Sequence, residues 1–226
     1  MRSSSGQNVM QRSVDSLQRL FSVVVALAIT VAIQKVLFDE KGNMHVWYDE
    51  ATHAYVLWNA LSNRLPALLA FIFSIVPFYH GMNRHLDRIY VEREVPGNKE
   101  GYLVVDFFVF FLESCLLVAF ASLVGVKDYA FIALMLLLAV DAAWAFGTHG
   151  IHYGAIAPST ARWGVINAVT IGVLLLFYCS NLFPIGVLRS WALSEVAVVR
   201  TIIDYSVCWR FYFPGQNPAR FAGPAK

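Results

Sequence analysis

Charge is scarce in this chain: Asp, Glu, Lys and Arg make up 14% of it, against 58% hydrophobic residues. Ordinary soluble domains carry about a quarter charged residues, so a water-soluble globule of 226 residues is excluded. The net charge of +2 is too small, and too little interleaved with aromatics, to mark a nucleic-acid surface. Cysteine is equally sparse. Cys115, Cys179 and Cys208 each sit inside an apolar segment, an odd number with no CxxC pair, which excludes a disulfide framework and thiol redox work. Catalytic signatures are missing too: no P-loop, GxSxG elbow, HExxH or Rossmann glycine pattern occurs, and no TVGYG-type filter.

What the chain does have is long apolar runs. A bilayer-spanning helix takes about 20 such residues, and each run must be helical because lipid offers the backbone no hydrogen-bond partner. The fold class is therefore all-α, a polytopic transmembrane helical bundle. Residues 1–19 are polar and read as a disordered or interfacial tail. Residues 20–209 form the transmembrane domain, with spans at about 20–38, 58–80, 102–125, 129–147, 163–187 and 191–209. Pro/Gly-rich residues 210–226 form a C-terminal tail. Asp49 reads as the N-cap of a helix leading into the second span, which Pro77 kinks near its end. The segment 191–209 carries Glu195, Arg200 and Asp204, so it is either a sixth span with charges facing the bundle or a helix lying in the interface.

Placing the N-terminus in the cytoplasm puts eleven Lys and Arg on inner segments and five on outer ones, as the positive-inside rule requires. A multi-pass protein of a prokaryotic inner membrane is the expected setting. Trp47, Trp58, Trp163, Trp191 and Trp209 fall near expected interfaces, as in aromatic belts.

The residues of interest are those the bilayer does not explain. Charges inside spans are expensive and mark function or paired contacts; here they are Asp106, Glu113, Asp141, Arg200 and Asp204. Asp106 and Glu113 are seven residues apart, about 20° from one helix face, and with Asp141 they can converge between two antiparallel helices. Arg200 needs a partner at any pH; Asp204, one turn on, is the nearest in sequence, and Glu113 or Asp141 are the alternatives across the bundle.

The histidines gather at the same expected side. "HGMNRHLDR" supplies a polar cluster of His80, Arg84, His85 and Arg88, and "HGIH" supplies His149 and His152. His80, His149 and His152 with Asp141 would make a nitrogen-and-oxygen shell for zinc or iron, or His80 and His149 would flank a haem. The HxxHH boxes of membrane di-iron desaturases and hydroxylases are absent. His45, Asp49, Glu50 and His53 form a second polar set, read as a local ion pair or cap.

Three functions follow as expectations. The first is a self-associating membrane protein forming a pore or transport pathway for an ion or small solute. The second is a subunit or effector acting through a partner membrane or cytoplasmic protein. The third is a membrane-embedded metalloenzyme acting on a lipid or apolar substrate.

Overall fold

A computed structural model describes residues 3–38, 48–49, 54–55, 57–92, 100–124, 126, 129–149, 158–180 and 187–213. Among the described residues seven helices carry the fold: α1 (Ser3–Leu37), α2 (Leu57–Leu86), α3 (Glu100–Ser122), α4 (Tyr129–Gly147), α5 (Pro158–Cys179), α6 (Val187–Val207) and the short α7 (Trp209–Tyr212). A π-helical turn, Asp87–Val91, prolongs α2. Five helices are long and apolar enough to cross a membrane, lying in α1 to α5. The bundle of the sequence reading is present.

The neighbours form a closed ring. Going round it, α1 packs on α3, α3 on α4, α4 on α5, α5 on α6, α6 on α2, and α2 back on α1. Large apolar side chains lie on its outside: Val23, Leu27, Phe108, Phe111, Val169 and Leu176 are each more than half exposed. Such a continuous apolar exterior is abnormal in water and ordinary in lipid. Together with the five span-length helices it makes the chain an integral, multi-pass membrane protein. The 21 residues of α6 reach about 32 Å, enough to match a bilayer core. Its Arg200 and Asp204 are both buried inside the ring.

Several boundaries differ from the sequence reading. Helix α1 starts at Ser3, so most of the expected tail is helical. Val14, Leu17 and Phe21 continue the buried stripe of the span at helical spacing, and Gln18 Nε2 donates to Asp87 Oδ1 at 2.9 Å. The helix expected from Asp49 is absent there: Tyr48–Asp49 and Ala54–Tyr55 pair as a minimal antiparallel ladder, Tyr48 opposite Tyr55, and helix begins only at Leu57. Tyrosine favours such extended pairing. Helix α2 runs through Pro77 to Leu86, so the basic stretch after the second span is helical. Helix α5 occupies 158–179 in place of 163–187; Pro158 opens it, where proline's missing N–H costs nothing. His45, Glu50, His53, His152 and residues 214–226 lie outside the described residues.

Trp163, expected at an interface, is buried. It lies over Gly81 of α2, where a Cβ would overlap the indole ring. Gly81→Ala therefore overpacks the α2–α5 approach and lowers stability by about 1–3 kcal/mol, read as a drop in thermal unfolding temperature in detergent. Gly172→Ala is the control. Nothing stands within 4 Å of the added methyl there, and helix propensity gains about 0.5–1 kcal/mol. Equal behaviour of the two variants would refute the Gly81–Trp163 contact.

Candidate functional site: a buried polar chain

A chain of polar side chains crosses the ring from α3 to α7. It starts at Glu113 on α3, 2% exposed, whose carboxyl lies beside that of Asp141 on α4. Asp141 Oδ2 accepts from Asn167 Nδ2 on α5 at 2.5 Å. Asn167 Oδ1 in turn accepts from Arg200 of α6, from Nη2 at 2.8 Å and Nε at 3.3 Å. A guanidinium only donates, so it fixes which end of the Asn167 amide faces it and leaves the NH₂ for Asp141. Arg200 Nη1 is 3.8 Å from Asp204 Oδ2, and Tyr212 Oη of α7 donates to that same oxygen at 2.9 Å. Phe78 of α2 lies against the guanidinium, 5.1 Å from ring centre to Cζ, a cation–π contact in a dry setting.

Two chemical features distinguish this chain from a row of unrelated hydrogen bonds. Glu113 and Asp141 are two acids buried side by side, where charges on both would repel. Three buried atoms, Glu113 Oε1, Arg200 Nη1 and Asp204 Oδ1, have no hydrogen-bond partner among the described residues. Buried polar atoms are paired in the great majority of cases, so three unpaired atoms in one chain are a departure from ordinary packing.

A second cluster sits one turn away. Asp106 of α3 accepts three donors: His85 Nε2 at 3.0 Å and Tyr90 Oη at 2.7 Å on Oδ2, and Trp144 Nε1 at 2.9 Å on Oδ1. All four residues are buried. The π-turn after α2 carries Tyr90 to this position; such turns often mark functional places. Trp144 is three residues after Asp141, so α4 carries both clusters on one face.

The expected residues thus divide. Glu113 and Asp141 converge, as do Arg200 and Asp204, and Asn167 joins the two pairs. Asp106 turns to a separate cluster. The polar set His80, Arg84, His85 and Arg88 splits as well. His85 is inside against Asp106, whereas His80 Nδ1 meets Tyr205 Oη of α6 at 3.1 Å. Arg84 Nη1 and Nη2 hold Glu92 at 2.5 and 2.9 Å, which keeps the exposed Glu92 carboxyl below its usual range. Among the described residues, no three of His, Cys, Asp and Glu stand close enough to hold a metal ion. His80, His149 and Asp141 alone do not make the expected zinc or iron shell.

Asn167, Tyr90, Trp144 and Tyr212 were not singled out from the sequence. Asn167 carried a signal: a lone carboxamide in "VINAVTIGV", a residue type that binds helices together in lipid.

No protein-family model, curated protein or solved structure matches the chain.

Proposed function

We propose that this protein is a membrane transporter that moves protons, or a small solute coupled to protons, through the Glu113–Asp141–Asn167–Arg200–Asp204–Tyr212 chain, with α6 as a sixth crossing. The observation that carries the reading is the buried pair of acids joined, through one amide, to a buried arginine. A purely structural bundle is better served by apolar packing, because buried ion pairs contribute little net stability. Chains of acids facing a bundle interior are the usual form of intramembrane proton relays.

The chain favours one end of the bundle. Asp141, Arg200 and Asp204 stand about 9, 10 and 5 Å from the near ends of their helices. That is also the end of Arg84 and Arg88, which we read as cytoplasmic. The opposite half is closed by apolar side chains, among them Phe71 and Phe120, edge to face at 5.4 Å. The site thus lies nearer one side and is covered on both, so a transport cycle requires its cytoplasmic cover to open. All of it lies within one chain, so the pathway requires no second copy.

The test is proton uptake into proteoliposomes of the full chain, driven by an imposed potential and followed with an internal pH dye. Wild-type protein acidifies the lumen, and Glu113→Gln and Asp141→Asn fall to the level of empty liposomes while still folding. Unchanged uptake in both variants, or none in wild type, would overturn the reading.

A further inference from the structure

We propose that residues 208–213 are a latch that closes the cytoplasmic end of the buried polar chain and opens by swinging about Cys208. The name of the cargo rests on the transport reading; the existence of the latch does not. Asp204 lies one turn from the end of α6, where a carboxylate would ordinarily meet water, yet it is 0% exposed. Its cover is α7. The α-helix breaks at Cys208, which has φ −100° and ψ 18°. The amides of Phe211 and Tyr212 both turn back to the Cys208 carbonyl, at 2.8 and 3.2 Å. The break redirects the chain so that Tyr212 Oη reaches Asp204 Oδ2, eight residues earlier.

The latch is held to α2 by few contacts. Arg84 Nε donates to the Phe211 carbonyl at 3.1 Å. The Arg88 guanidinium stands 5.2 Å from the centre of the Phe211 ring. The His80 ring lies 4.8 Å from Tyr212 and 5.4 Å from Phe213, with its Nδ1 on Tyr205. Two arginines and a histidine at one helix end therefore grip one short segment. This gives the basic stretch at the end of α2 a task that a positive-inside bias alone does not require. The rest of Arg84 is bound to Glu92, which is exposed, so water and ions reach the grip from outside. Beneath this polar grip the rings are seated, Phe211 6.0 Å from Trp163 and Tyr212 4.6 Å from Tyr205, so opening unseats six residues as a unit smaller than the ring below.

The hinge supplies its own reporter. Cys208 is 4% exposed, and the other two cysteines, Cys115 and Cys179, face outward. In the full chain carrying Cys115→Ser and Cys179→Ser, a membrane-impermeant maleimide measures how often Cys208 meets water. Arg84→Gln removes the grip on Phe211, and Tyr212→Phe removes only the hydroxyl that reaches Asp204. Both variants are expected to label several-fold faster than the parent, and proton uptake to rise with labelling. Labelling unchanged in both overturns the latch. Faster labelling with no proton uptake in any form, the parent included, upholds the latch and overturns the transport reading. Uptake in the parent with unchanged labelling in both variants does the reverse.

Discussion

Arg200→Ala lowers the stability of the bundle by about 3–5 kcal/mol, the range for breaking a buried ionic contact from one side. The substitution leaves Asn167 Oδ1 without either of its donors and leaves Asp204 buried without its arginine, with Tyr212 still donating to it. It also removes the cation lying against Phe78. Arg200→Lys keeps the charge but cannot present two donors in one plane to Asn167 Oδ1, so it falls between wild type and alanine. Arg200→Met combined with Asp204→Leu should regain most of the loss, because an apolar pair replaces a buried charged one at little cost. Equilibrium unfolding in mixed micelles, followed by circular dichroism, measures all three. An alanine variant within about 1 kcal/mol of wild type, the range of a surface change, would mean that α6 lies in the interface, with its charges in water.

Asp106→Ala is the second large effect. One carboxylate serves three buried donors, from His85, Tyr90 and Trp144. Each buried donor left without an acceptor costs about 1–3 kcal/mol. With some relaxation, the total is still at least about 3 kcal/mol. Asp106→Asn keeps the volume and one carbonyl, but its NH₂ must face one of three groups that also donate, so its loss is smaller and still measurable. The near-ultraviolet circular dichroism of Trp144 reports the site directly. The signal should change in both variants, and the unfolding midpoint should fall furthest for alanine. A tolerated Asp106→Ala would dissolve the cluster.

The sequence shows the bundle because lipid imposes helices on any run of that length. It shows the acid pair because a carboxylate in an apolar run has few reasons to be there. Arg200 and Asp204 are legible as neighbours on one helix face. Their link to Asp141 is not, because it passes through Asn167, a residue whose importance lies in accepting on one side while donating on the other. His80 and His85 read as one cluster because both stand at the end of α2. Five residues turn a helix through about 140° beyond one full circuit, and the two rings go to different partners. Trp163 reads as a belt residue from its place near a helix start; the deciding feature is Gly81, 82 residues earlier, which leaves room for an indole. The start of α1 is legible in retrospect: Met10, Val14, Leu17 and Phe21 already keep a spacing of three and four.

The ring does not follow chain order: α1 stands between α2 and α3, and α6 returns to α2. This sets a schedule for assembly during synthesis. The α1–α2 hairpin can form first, and the α3–α4 hairpin can enter the bilayer with Glu113 and Asp141 already side by side. Helix α5 then arrives carrying an amide satisfied on one side only. Until α6 emerges, the seam between α5 and α2 is open and Asn167 Oδ1 faces lipid or a chaperone. Helix α6 brings its own countercharge, Asp204, one turn from Arg200, which lowers the expense of inserting an arginine. A nascent chain stopped before Arg200 is accordingly an open horseshoe, and quality control in the membrane would meet its unfilled amide first.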